Sequence, residues 1–194
     1  MVIGLTGGIA SGKSTVSSIL KDLGAYIIDV DKIGKDVVEK GQKAYNDIVC
    51  FFGKEILLPD GQINRKALGN IVFSDSEKLK KLNSITHPHI IARVKEIISK
   101  CKAEGIDRIV VDAAILIEMG LHSLCDAVWL VTVDKETQLK RLMERDSYTY
   151  EEANNRIMAQ TSDNNKLLYA DVVIDNNGTI EDLKNKVLEL WNKL

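Results

Sequence analysis

The residues in this chain best suited to chemistry lie in Gly7-Gly8-Ile9-Ala10-Ser11-Gly12-Lys13-Ser14-Thr15. From Gly7 to Ser14 the stretch satisfies G-x-x-x-x-G-K-[ST]; the apolar run Val2-Ile3-Gly4-Leu5 precedes it, and Val16 to Lys21 follows with helical apolar spacing. Strand, glycine-rich turn and helix start, in that order, make a phosphate-binding loop. Its glycines let successive backbone N–H groups face phosphate oxygens, and the helix start adds its positive end. Gly8, Ile9, Ala10, Ser11, Gly12, Lys13, Ser14 and Thr15 are therefore the nucleotide-binding candidates. Lys13 would reach the transferred phosphoryl group and Ser14 would hold Mg²⁺. A glycine-rich turn at an ordinary helix start explains the glycines but calls for neither the lysine nor the hydroxyl.

Carboxylates at two strand ends stand where such a loop could use them. Ala25 to Ile28 reads as a buried strand with Asp29-Val30-Asp31 at its carboxyl end, the side on which open parallel α/β sheets build sites. If the strand continues, Asp29 and Asp31 share one side; a helix starting near Asp31, with Asp31 as its cap, fits equally well. Asp112 ends the apolar strand Ile109-Val110-Val111 and either acts on bound Mg²⁺ through water or caps the next turn. A helix from Thr137 to Asp146 presents Arg141 and Arg145 four residues apart, and Glu151 to Gln160 resumes helical spacing after Tyr148-Thr149. This helix pair either closes over a nucleotide or is a solvated charged hairpin. His87 precedes Pro88, which biases it toward extended geometry, so Thr86 to Ile90 reads as a break between helices.

The elements that must position these groups are a set of strands interrupted by helices. The first helix should stop near Leu23-Gly24, and Ala127 to Val133 and Ala170 to Asp175 are further strands, with Asp134 as a helix cap and Trp129 as core. Between residues 32 and 89 the pattern is helical, with Asn64 and Asp75 as starts and Pro59-Asp60-Gly61 as punctuation, so an insertion forms a side wall. The expected divisions are 1–31 as core with the phosphate loop, 32–89 as helical insertion, 90–140 as core, 141–165 as lid and 166–194 as core. The fold class is α/β, a three-layer sandwich with a mostly parallel, right-handed crossover sheet.

Composition narrows the function. The chain has 194 residues, 45% of them hydrophobic, with 5% aromatic residues and a formal charge of −2, which argues against a nucleic-acid partner held through phosphates. Cys50, Cys101 and Cys125 form no C-x-x-C pair and read as buried thiols of a reducing compartment. Charged residues interrupt every candidate membrane span, and no leader pattern is visible, so a cytoplasmic location with no membrane partner is expected. N-K-x-D is missing, which disfavours a GTP-dependent switch.

The ordered motifs resemble the dephospho-coenzyme A kinase family over nearly the whole chain. They are Gly4 to Ser14, Asp29-Val30-Asp31, Asp60 to Arg65, His87-Pro88-His89-Ile90, Leu116-Ile117-Glu118, Gln138 to Arg145, Arg156 to Gln160 and Ala170 to Gly178. The resemblance implies a P-loop nucleoside-kinase-like core with a helical acceptor-binding insertion and a small helical lid, and transfer of the ATP γ-phosphoryl to the 3′-hydroxyl of dephospho-coenzyme A. It implies catalytic roles for Lys13, Asp31, Arg141 and Arg145, and an acceptor side built from Thr6, Asp29, Asp31, Arg65, His87 and Leu116. Asn176 and Gly178 would lie near the adenine, and Ser14 and Asp112 would serve the metal. ATP and Mg²⁺ are thus the expected cofactors, with no obligatory protein partner. Two departures touch the acceptor side: Lys35 stands where many members have an arginine, whose planar fork a lysine cannot copy, and Ala114 stands where members commonly have proline.

Overall fold

The computed structural model describes residues 1–158 and 163–194. Strand β1 (Val2–Gly7) runs through the phosphate loop into α1 (Lys13–Asp22), which stops at Leu23 before Gly24 turns the chain at φ 97°. Strand β2 (Tyr26–Asp29) then leads into α2 (Val30–Asp36), α3 (Lys43–Phe52), a 3-10 turn at Lys54–Ile56, α4 (Arg65–Phe73) and α5 (Ser76–Ala103). The order continues with β3 (Ile109–Asp112), a 3-10 turn at Leu121–Leu124, β4 (Ala127–Thr132), α6 (Lys135–Asp146), α7 (Tyr150–Met158), α8 (Asp163–Leu167), β5 (Val172–Asp175) and α9 (Ile180–Trp191). Two compact units result, 1–28 together with 98–194, and 29–97.

In the first unit the described strands form one sheet in the order β2-β3-β1-β4-β5, and the pairs β1–β3, β1–β4 and β4–β5 are parallel. Central β1 is buried along its whole length, which its apolar run requires. Its residues alternate between faces: Ile3 and Leu5 join Val110, Trp129, Val131 and Ile174 under α1 and α9, which contribute Val16, Leu20, Leu183, Val187 and Trp191. Gly4 falls on the other face. A Cβ there would come within 2.7 Å of Leu116 Cδ2 and 2.9 Å of Cys125 Sγ, so the chain after β3 lies close against the sheet. β2 departs from the buried strand expected of its sequence: it is an edge strand, with Ile28 buried but Tyr26 exposed, because a border strand is covered less completely than a central one.

The second unit has its own core of Ile48, Phe52, Ile56, Ile63, Leu68 and Val72. Asn64 caps α4 as expected, accepting from Ala67 N–H at 3.1 Å. The expected break at Thr86 to Ile90 does not occur, because α5 runs unbroken through Pro88. Proline removes one helical N–H, but the turns on either side bury apolar side chains: Leu79, Leu82 and Ile85 before it, Ile90 and Val94 after it. Tertiary packing outweighs the local preference, and the chain passes from the second unit to the first within this helix.

Candidate active site

The phosphate loop is held from inside and outside. Within it, the Ser11 N–H donates to the Gly8 carbonyl at 3.1 Å, and the Thr15 and Val16 N–H groups donate to the Gly12 carbonyl at 3.0 and 3.1 Å. Gly12 adopts φ 93° and no side chain caps α1, so the helix start presents its first N–H groups to an incoming anion. From outside, Gln138 Nε2 donates to the Ile9 carbonyl at 2.6 Å and Asn176 Nδ2 donates to the Ser11 carbonyl at 2.7 Å. Arg141 Nη2 in turn donates to the Asn176 main-chain carbonyl at 3.0 Å. A Cβ on Gly12 would sit 2.1 Å from Asn176 Nδ2, so glycine is required there for space as well as for conformation.

Helices α6 and α7 form the arm beside this loop. Their cluster of Leu139, Leu142 and Ala153 packs against Ile9 and Ala10, so the arm's inner face is an apolar cover on the loop and only its outer face is a solvated charged surface. Asp134 caps α6 as expected, accepting from Thr137 N–H at 2.8 Å, and Ser147 at φ 56° ends the helix. The two arginines diverge despite their shared helical face. Arg141 reaches the core at Asn176, whereas Arg145 forms a two-toothed pair with Asp146, at 2.9 Å through Nε and 2.8 Å through Nη2, and holds that carboxyl below the usual carboxylate range. Arg156 stacks over the Tyr148 ring at 4.2 Å. Ala159 and Gln160, the end of that motif, lie outside the described residues.

Lys13 and Asp112 form an ion pair at the carboxyl edge of the sheet, both largely shielded from solvent. Asp112 is thus the carboxylate partner of the phosphate-loop lysine. Thr6 is fully buried and donates through Oγ1 to the Ala114 carbonyl at 3.2 Å, and Leu116 is fully buried as well. Both shape the wall after β3 and expose no surface of their own. Ser14 is exposed on the first turn of α1. Its hydroxyl and the Asp112 carboxylate are hard oxygen donors of the kind Mg²⁺ takes, and the described residues hold no cluster of three or more His, Cys, Asp or Glu that could bind a metal alone. Such a donor set fits a cation coordinated mainly by phosphate oxygens and water, with one or two protein oxygens. Gly178 lies in the turn before α9, where Thr179 and Asp182 form a capping box.

In the second unit, Asp29 rather than Asp31 caps α2, accepting from Lys32 N–H at 2.9 Å. The strand ends at Asp29, so the two aspartates do not share a strand face; Asp31 stands in the first helical turn, where a negative charge is favoured. Arg65 Nη2 donates to the Lys35 carbonyl at 3.2 Å. It lines an open cavity of about 340 Å³ with Val38, Glu39, Lys40, Asp60, Gln62 and Ile63. His87 is half-buried in α5, and burial pushes its imidazole pKa down, toward the neutral form.

The full chemical form of a phosphate-transfer loop is thus present, together with a helical arm packed on it. A family model described as dephospho-CoA kinase matches residues 1–182. The chain belongs to the dephospho-CoA kinase family. A dephospho-CoA kinase of Carboxydothermus hydrogenoformans is 50% identical over 192 residues, covering 99% of this chain and 93% of the relative. One from Arabidopsis thaliana is 47% identical over 182 residues, covering 94% of this chain and 78% of the relative. Among solved structures, the dephospho-CoA kinase from Campylobacter jejuni aligns with a TM-score of 0.75 at 30% identity, over 99% of this chain and 96% of that one. A shikimate kinase from Acinetobacter baumannii shares the fold alone, with a TM-score of 0.55 at 17% identity over 99% of this chain and 93% of that one. The three-layer α/β kinase fold and the family resemblance expected from the sequence are therefore both found.

Two buried polar residues do not stand out in the sequence. Gln138 is buried and braces the loop at Ile9; its spacing of three residues from Arg141 is the signal that it faces the same way. Lys166 on α8 is almost fully buried, where lysine composition argues for the surface.

Proposed function

We propose that this chain transfers the γ-phosphoryl of ATP to the 3′-hydroxyl of dephospho-coenzyme A, yielding coenzyme A and ADP. Membership of the family along nearly the whole chain, with Lys13 and Ser14 intact in the phosphate loop, carries this reading. Residues Gly8 to Thr15 cradle the triphosphate through backbone N–H groups, and Asn176 and Gly178 flank the adenine. Nucleotide binding exchanges the Asp112 carboxylate for phosphate oxygens at Lys13, so the amine is held ready near the loop before ATP arrives. Ser14, with Asp112 through water, would hold Mg²⁺, and the cation would supply charge neutralisation at the phosphoryl oxygens.

On the acceptor side, Asp31 accepts or orients the proton of the ribose hydroxyl, with Asp29 fixing the helix start that carries it. Arg65 and His87 contact the acceptor, while Thr6 and Leu116 act by holding the wall after β3. Arg141 and Arg145 complete the positive surround of the phosphates from the arm and help exclude water, which would otherwise compete as acceptor. The reaction needs only soluble substrates, and no described helix is long and apolar enough to cross a membrane; we assign it to the cytoplasm. The test is steady-state ADP release with dephospho-coenzyme A set against adenosine and AMP as acceptors. Strong dependence on dephospho-coenzyme A is expected, and equal rates with all three would refute the assignment.

A further inference from the structure

Lys166 is a buried ionisable group that takes no part in the mechanism above. Its side chain is 2% exposed, and its ammonium donates to the Ala114 carbonyl at 2.9 Å, with Glu118 Oε1 farther away at 3.9 Å. The same carbonyl accepts from Thr6 Oγ1 at 3.2 Å, so both of its lone pairs are engaged, one from β1 and one from α8. Ala114 is two residues past Asp112, the partner of Lys13. Just before it, the Ala113 N–H extends the sheet by donating to the Leu5 carbonyl at 3.0 Å; just after it the chain turns back, with Leu116 packed where a Cβ on Gly4 would stand. Ala114 is therefore where the chain leaves the sheet, and two donors set its direction. Taking an ammonium out of water to bond a neutral carbonyl is costly, and an apolar side chain of similar length would fill the space without that cost.

We propose that Lys166 is a positioning residue for phosphoryl transfer: with the Thr6 hydroxyl it clamps the Ala114 carbonyl and thereby holds Asp112 at the phosphate loop, against Lys13 before ATP binds and beside the triphosphate afterwards. This rests on the phosphate-loop site being the kinase site. The charge on Lys166 is offset only by Glu118 at 3.9 Å, a carboxylate that keeps access to water and can be hydrated when the lysine is removed, so its removal should separate catalysis from folding.

The test compares the full-length wild type with Lys166→Met and Lys166→Arg by thermal unfolding, by steady-state kinetics for both substrates, and by crystal structures of the variants. K166M is expected to melt within a few degrees of wild type or above it, to keep KM for dephospho-coenzyme A within about threefold, and to lose about 10- to 100-fold in kcat, the scale seen when a group that orients a contact residue is removed. K166R, which restores a cation and its donors, is expected to regain part of that loss. In the K166M structure the Ala114 carbonyl should turn and the Asp112–Lys13 pair should open. A K166M protein with wild-type kcat, or one whose loss of kcat only follows its loss of folded protein, would overturn the proposal. Should wild-type protein show no turnover with dephospho-coenzyme A, the functional reading fails instead, and the K166M structure still decides: an unchanged Asp112–Lys13 pair refutes the role given to Lys166.

Discussion

Replacing Gly12 by alanine perturbs the loop in two ways that a second substitution pulls apart. The new Cβ must adopt φ near 93°, which costs a non-glycine residue about 1–2 kcal/mol. It must also displace the Asn176 amide, since the 2.1 Å separation is far inside any van der Waals contact, and so break the 2.7 Å hydrogen bond to the Ser11 carbonyl. Leaving a buried carbonyl without its donor costs about 1–3 kcal/mol. Gly12→Ala should therefore destabilise the protein by about 2–5 kcal/mol. Asn176→Ala loses the same hydrogen bond but keeps the glycine, so it should cost about 1–3 kcal/mol, or about 2–12 °C in melting temperature for a chain of this size. In the double variant the clash has no partner left, and its cost should match that of G12A alone. Urea unfolding of the nucleotide-free proteins measures all four corners of the cycle. Simple addition of the two single losses would show that Gly12 and Asn176 are not coupled, and a neutral N176A would show that the Asn176–Ser11 bond does not brace the loop.

Lys13→Ala should nearly abolish transfer at subsaturating ATP, and near-normal turnover by the folded variant would contradict its role at the phosphoryl group. Asp31→Asn should leave ATP affinity intact and lower single-turnover transfer by about 10²-fold or more, as loss of a positioned general base does; preserved transfer at saturating substrates would remove Asp31 from the chemistry. Arg145→Ala should slow transfer while changing the melting temperature little, because its pair with Asp146 is on the surface; a large stability loss with normal turnover would make it structural. Thiol titration of the native protein should show one fast-reacting cysteine, the exposed Cys50, since Cys101 is buried and burial pushes the Cys125 thiol up to about 12. Fast labelling of Cys125 would contradict its packing against the β1 face.

The phosphate loop, the positions of the strands and the helix caps at Asn64 and Asp134 were legible because each depends on residues next to one another in the chain. The proline at 88 misled for the opposite reason: its local effect is a break, and only the burial of Leu82, Ile85, Ile90 and Val94 carries the helix through it. The cap at Asp29, where Asp31 was the candidate, was not legible, since either aspartate suits the position chemically and the strand's end decides between them. Burial of all three cysteines was expected and Cys50 is exposed, because a thiol on an amphipathic helix can sit on either side of its apolar stripe. Gln138 and Lys166 act through backbone carbonyls far along the chain, at Ile9 and Ala114, and a carbonyl leaves no trace in residue type. The resemblance to the kinase family implies a place near the adenine for Asn176; its amide donates to the phosphate loop at Ser11, a contact visible only once the two segments are brought together.

The destination of the phosphoryl group defines the enzyme. Wild-type protein in excess over γ-³²P-labelled ATP, mixed with dephospho-coenzyme A and quenched within a single turnover, should place the label on the acceptor. A 3′-nucleotidase that leaves 5′-phosphates untouched should then release it. Label recovered as inorganic phosphate at the same rate with and without dephospho-coenzyme A would contradict the assignment of this chain as the kinase that completes coenzyme A.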